Sequence, residues 1–347
     1  MLPENKSALY FLYIAFLLAF IVVQLGAFTR LKDAGLGCPD WPGCYGKFTL
    51  PKDAKQIKQA SFIGKTLDLG KAWPEMIHRY MAATLVLLSF AAIVLIINKY
   101  KLSQQPVWVA TSLLFLLFLQ GLLGKWTVTL RLHPLVVLSH LLGGLALLSL
   151  LWLLILRLSQ LSIKQSSVSE QKLRSWMAFG LLLIIIQICL GGWTSANYAA
   201  FVCPDFPRCQ GQWWPAMNFF EGFHLWLNTN INYEGGILSH TARTAIQMTH
   251  RIMAVITTIY LGLVVYKLFN VTKRIFLRSL AVLLAFLLGL QISLGALNVL
   301  WVLPLPIAMA HNAVAALLLL IIITLNIGLY GYQLENLILK RSKIFKS

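Results

Sequence analysis

The chain has 347 residues, 59% of them hydrophobic and 12% charged, with a formal net charge of +18. That composition excludes a soluble domain, because eight apolar stretches reach the roughly 20 helical residues that span a bilayer. The basic excess does not point to nucleic acid, because the lysines and arginines recur in alternate connections instead of forming one patch.

The apolar stretches read as helices near 8–28, 76–97, 106–124, 134–156, 176–194, 243–266, 279–299 and 306–331. Helix is expected because an unsatisfied backbone group in hydrocarbon costs several kcal/mol. The expected fold class is all-α integral membrane. The first stretch is too long for a signal-peptide core and lacks a small-residue cleavage site, so it reads as a retained span. No Arg-rich, acid-poor transit segment precedes it. Lys6, then Lys99 and Lys101, then Arg157, Lys164, Lys172 and Arg174 lie in connections on one side. Lys267, Lys273, Arg274 and Arg278 continue the series, and Lys340, Arg341, Lys343 and Lys346 close it. The positive-inside rule places this side, and both termini, in the cytoplasm. The first external connection, about 29–75, also carries eight Lys/Arg, but long connections obey that rule weakly.

The chain is a tandem duplication. Gly26-Ala-Phe-Thr29 recurs as Gly191-Gly-Trp-Thr194, and Cys38-Pro-Asp-Trp-Pro-Gly-Cys44 as Cys203-Pro-Asp-Phe-Pro-Arg-Cys209, both shifted by 165. Glu75-Met-Ile-His78-Arg79 recurs as Gln247-Met-Thr-His250-Arg251, shifted by 172. Gln120, Gly124 and His140 recur as Gln291, Gly295 and His311, shifted by 171. The expected organisation is two tandem four-helix bundles, 1–160 and 172–347 with a cytoplasmic tail, joined by a polar, Ser-rich linker at 161–171. Four crossings per half make them parallel repeats.

Four of the seven histidines fall inside even-numbered spans: His78, His140, His250 and His311. Each is read as one to two turns past the start of its helix. Pro134 precedes His140 by six positions and Pro306 precedes His311 by five, which puts both rings roughly 8–9 Å below the external helix end. A single intramembrane histidine is as often a packed, hydrogen-bonded residue as a ligand. Four at matched depth, two per repeat, point to bis-imidazole haem sites in the bundle core. Zinc fits less well, because a structural site wants four N or S ligands and each half offers two imidazoles. His133, His224 and His240 lie in external connections or at a helix mouth without repeat partners, and read as solvated or interfacial.

Glu75 stands one turn before His78 on the same helix face. Its counterpart Gln247 has the same shape and no charge. A carboxylate near hydrocarbon needs a task or a partner; the plainer reading is an interfacial Glu at a helix N-terminus, favoured by the dipole. The Glu/Gln asymmetry suggests that one haem site does chemistry while the other carries electrons or structure. Cys38/Cys44 and Cys203/Cys209 lie in external connections, where disulfides persist, either as staples or as redox-exchanging pairs. Cys189, inside the fifth span, reads as a small packing residue. Arg79 and Arg251 follow the histidines. They read either as contacts to anionic haem propionates or as snorkelling or interhelical residues.

The E-x-x-H-R motif at Glu75–Arg79, the Q-x-x-H-R motif at Gln247–Arg251, His140, His311 and the paired C-P-D loops together resemble the haem A synthase family. The resemblance covers nearly the whole chain, and its motifs are specific in combination. It implies oxidation of the ring methyl of haem O to the formyl of haem A by successive hydroxylation-type steps. It implies a haem b cofactor on His250 and His311, substrate haem O on His78 and His140, and Glu75 as the catalytic carboxylate. It implies haem O synthase, cytochrome oxidase assembly factors and an electron acceptor as partners, in a bacterial plasma (inner) membrane. Two other classes fit parts of the pattern. A diheme b-type electron-transfer cytochrome would want haems near both faces, and it leaves Glu75 no task. A transporter would explain the duplication but not the histidine pairs.

Overall fold

The computed structural model describes residues 5–50, 66–101, 104–159, 167–225 and 228–330. The linker at 161–166, the tail from 331 and the basic residues Lys52, Lys55, Lys58, Lys65, Lys164, Lys340, Arg341, Lys343 and Lys346 lie outside them. Among the described residues the chain is all-helical, with two isolated β-bridges and no named strand. In order the helices are α1 (Lys6–Leu31), α2 (Leu69–Lys99), α3 (Gln105–Thr129), α4 (Pro134–Leu158) and the single turn α5 (Val168–Gln171). They continue with α6 (Arg174–Ala196), the single turn α7 (Phe219–Gly222), α8 (His240–Val271), α9 (Ile275–Leu300) and α10 (Leu305–Tyr330). Eight of them (α1, α2, α3, α4, α6, α8, α9 and α10) are long and apolar enough to cross a membrane, and the chain is a multi-pass membrane protein.

Side-chain caps set several helix starts. Asn5 accepts from Ala8 N at 3.1 Å, and Ser239 Oγ from Ala242 N at 3.2 Å. Asp68 Oδ1 accepts from Gly70 N at 2.8 Å and Lys71 N at 3.2 Å. The caps at Asp68 and Ser239 correct the expected spans. α2 and α8 begin as polar turns before their apolar stretches, so the hydropathy pattern conceals their true starts. His78 and His250 therefore lie more than two turns into their helices, not one to two.

Within the first half, α1 packs on α2 and α4, and α3 on α2 and α4; within the second, α6 packs on α8 and α10, and α9 on α8 and α10. The halves meet where α4 packs on α6 and where α10 packs on α1 and α4. The core is one apolar cluster running through both, with Leu12, Leu148, Leu151, Leu154, Leu277 and Ile322 fully enclosed. Trp152 Nε1 donates to Thr324 Oγ1 at 2.8 Å across this seam. Leu87, Phe115 and Phe286 point outward, as lipid-facing side chains do.

The duplication extends to the backbone. Left-handed residues recur at matching positions: Asp33 and Tyr198, Tyr45 and Gln210, Arg131 and Val302, Leu132 and Leu303. Asp40 and Asp205 fold the two cysteine loops alike. Asp40 accepts from Tyr45 N at 2.7 Å and Gly46 N at 2.8 Å. Asp205 accepts from Gln210 N at 2.6 Å and Gly211 N at 2.9 Å. The loops close through Cys38–Cys44, with sulfurs 2.04 Å apart, and Cys203–Cys209, at 1.99 Å.

Candidate functional site

Each of the four histidines rests against a glycine of the preceding spanning helix. A Cβ on Gly26 would stand 3.2 Å from His78 Cε1, and one on Gly124 3.5 Å from His140 Cε1. In the second half, Gly191 would meet His250 Cε1 at 3.1 Å and Gly295 would meet His311 Cε1 at 3.2 Å. The same ring carbon touches the glycine every time, so all four imidazoles share one seating. His78 and His140 face each other with ring centres 6.4 Å apart and planes at 82°. Every one of the four rings is half-buried. Nδ1 of His78, His140 and His311 is buried without a side-chain partner, whereas His250 Nδ1 lies 3.1 Å from Gln187 Nε2. Gln291 Nε2 stands 3.3 Å from His311 Nε2. Among the described residues, no group of three or more His, Cys, Asp or Glu is placed to hold a metal ion.

Glu75 is buried and lies inside α2, which corrects the helix-end reading of this carboxylate. Its Oε2 accepts the backbone N–H of Cys38 at 2.8 Å, and its Oε1 accepts Arg79 Nη2. Gln247 is equally buried, and its Oε1 has no hydrogen-bond partner. Arg79 Nη1 donates to the carbonyls of Asp40 at 2.9 Å, Pro42 at 3.2 Å and Gly43. In the other half Arg251 Nη1 donates to Arg208 O at 2.8 Å and its Nη2 to Cys203 O at 3.2 Å. The arginine after each histidine thus clamps the cysteine loop of its own half. The backbone N–H of Gly211, and with it that of Gln210, holds the Asp205 carboxyl below the usual carboxylate range.

His224 and His240 are exposed, as expected of solvated positions. His133 is not: it is buried at the start of α4, with its ring 5.2 Å from that of Tyr233. The reason is tertiary, since the second half's external connection folds over the first half's α3–α4 turn, and Tyr233 N donates to Arg131 O at 3.0 Å. Cys189 is a free thiol within α6.

Other functional contacts escaped sequence reasoning. Gln187 and the clasping Asp40 and Asp205 were legible only as a lone polar residue in an apolar span and as the third letter of the C-P-D motif. Arg30 joins the halves by donating to Ser195 O at 2.5 Å and stacking 3.9 Å over Tyr198. Tyr198 OH in turn donates to Asp33 at 2.5 Å.

Residues 9–323 match a family model described as cytochrome oxidase assembly protein, COX15-CtaA. A protein of Shewanella oneidensis named Heme A synthase is 44% identical over 321 residues, covering 92% of this chain and 96% of the relative. Proteins of the same name from Caulobacter vibrioides and Paracoccus denitrificans are 26% and 27% identical, covering 91% and 93% of this chain and 94% and 88% of their own. With a match running nearly end to end, the chain belongs to the cytochrome oxidase assembly protein family, COX15-CtaA.

Proposed function

We propose that the chain is a membrane oxidoreductase that converts haem O to haem A, oxidising a ring methyl to a formyl group for cytochrome oxidase maturation. The carrying observation is the facing pair His78 and His140 in a chain 44% identical to a protein named Heme A synthase. Imidazole nitrogens suit iron, and ring centres 6.4 Å apart would leave room between His78 and His140 for a haem iron that both could bind. Glycine seats leave space for the rings and no methyl to push them aside.

In this reading His78 and His140 hold substrate haem O, and His250 and His311 hold a haem b cofactor. A bound haem supplies iron-centred redox chemistry at its own porphyrin. The chain's residues bind, orient and set charge. Glu75 is held at both oxygens, so its carboxyl group is fixed in place on the helix that carries His78. A carboxylate accepts about four hydrogen bonds, so lone pairs remain to orient an oxygen nucleophile or to stabilise positive charge developing at the methyl. Gln247 offers no charge, which suits the cofactor half. The buried Nε of Arg251 has no hydrogen-bond partner, leaving a donor for a propionate there. Arg79 is the matching residue of the substrate half.

The duplicated contacts support two tandem four-helix bundles, 1–160 and 172–347. The charge pattern supports cytoplasmic termini, and the bacterial relatives support the plasma (inner) membrane. Haem O synthase, oxidase assembly factors and an electron acceptor are the partners such a role requires. The electron-carrier alternative draws no support from the relatives. Extracting the pigments of purified protein tests the reading: haem O and haem A beside haem b are expected. Haem b alone would favour a carrier, and absence of haem a transporter.

A further inference from the structure

We propose that Gln187 is the positioning residue that makes His250 a retaining ligand, so that the C-terminal half keeps its haem while the N-terminal half exchanges its own. The inference rests on the bis-histidine reading above and deepens it. Gln187 lies on α6, one turn before Gly191, the seat of His250. Its Nε2 stands 3.1 Å from His250 Nδ1 and 3.2 Å from the His250 carbonyl, so it grips ring and backbone together. Its Oε1 is buried with no hydrogen-bond partner. The matching position in the first half, 165 residues earlier, is Val22. His78 accordingly has the backbone of Val22 beside it and no side-chain partner, and His140 Nδ1 and His311 Nδ1 have no side-chain partner either.

The chemistry of a terminal amide suits a ligating histidine. An imidazole that binds iron through Nε2 carries its hydrogen on Nδ1, and that hydrogen calls for an acceptor. A half-turn of the Gln187 amide brings its idle Oε1 to Nδ1, in exchange for the Nε2 bond to the His250 carbonyl. The side chain can therefore donate to a bare Nδ1 and accept from a protonated one. Accepting from Nδ1–H fixes the tautomer and ring orientation and raises the ligand's basicity. Such outer partners change metal affinity by roughly 10–100-fold. The valine side chain can do neither, and leaves His78 only a backbone carbonyl that cannot turn to suit the ring. The difference suits the two tasks: a resident cofactor must stay, and a substrate must leave once oxidised.

The test uses full-length protein purified with its haem, as wild type, Gln187→Val and Gln187→Glu. Two quantities are read: the rate of haem b transfer to excess apomyoglobin, and the haem b midpoint potential. Gln187→Val copies the first half; it should lose haem b about 10-fold or more faster and shift the potential upward, because a less basic imidazole favours ferric iron less. Gln187→Glu keeps an acceptor, so it should retain haem b at least as well as wild type and shift the potential downward. Unchanged loss and potential in Gln187→Val overturn the proposal. So does faster loss in both variants with no shift in potential, which would mark a merely structural residue. A His250→Ala control separates the two levels. If His250→Ala keeps the haem b spectrum, the bis-histidine reading itself fails. If it loses that spectrum while Gln187→Val behaves as wild type, only the role of Gln187 fails.

Discussion

The backbone N–H of Cys38 donates to Glu75 Oε2 at 2.8 Å, fastening the first cysteine of the external loop to the helix that carries His78. The second half lacks this tie: Gln247 stands at the Glu75 position with its Oε1 unpartnered. Loop, carboxylate and histidine form one unit in the first half only. Arg79 completes it by bonding Glu75 and three loop carbonyls at once.

Replacing Glu75 with Gln separates charge from architecture. The amide oxygen can still accept from Cys38 N–H, so loop and fold should persist. Loss of the fixed negative charge should slow haem A formation by about 10²–10³, the range for preorganised electrostatic groups. Haem b should be unaffected, since its ligands lie in the other half. The assay is haem A yield beside the haem b spectrum. Wild-type yield from Glu75→Gln would show that the carboxylate serves the loop alone.

His250→Ala and His311→Ala should each abolish a low-spin b-type spectrum in purified protein, whereas His78→Ala and His140→Ala should preserve it. Optical and paramagnetic resonance spectra of the four variants decide the assignment. Loss of haem b in the His78 and His140 variants instead would reverse the roles of the halves.

The glycine seats should tolerate a methyl unequally. At Gly191 the added carbon would lie 3.1 Å from His250 Cε1, tighter than an ordinary contact, while at Gly124 it would lie 3.5 Å from His140 Cε1. Gly191→Ala should push the ring a few tenths of an ångström from its place and lower haem b content. Gly124→Ala should behave as wild type in thermal stability and in haem content. Equal effects at both seats would contradict the graded contact.

The second cysteine loop should open in acid. Gly211 N–H, with Gln210 N–H, holds the Asp205 carboxyl below its usual range, so the folded pKa is the depressed one. The stability this contributes is present above the unfolded value of about 3.9 and is lost as pH falls through the folded pKa. Hydrogen exchange at Gln210 and Gly211 should accelerate, relative to a free-peptide reference, only below about pH 4. Asp205→Asn should show no such acid-induced opening. An opening already complete at neutral pH in the wild type would refute the clasp.

Much of this protein was legible in its residues. Apolar runs of bilayer length dictated eight spans, because lipid leaves a backbone no partner but itself. Repetition of His78 and His140 as His250 and His311 marked paired sites, and the offsets linked Gly26 with Gly191 and Gly124 with Gly295 before any contact was known. What those glycines do was not legible, since a seat exists only where two helices approach, and approach distance is a property of packing. The starts of α2 and α8 were hidden because their first turns are polar and held by caps at Asp68 and Ser239. Glu75 was legible as a carboxylate with a task, set apart by its Gln247 counterpart, but not its partners. Only the folded loop brings Cys38 and Arg79 onto its two oxygens, from 37 residues away in one case and one turn in the other. Local periodicity and composition determine which segments become helices. Contacts between residues far apart in the chain, such as Gln187 with His250, are decided by tertiary packing alone.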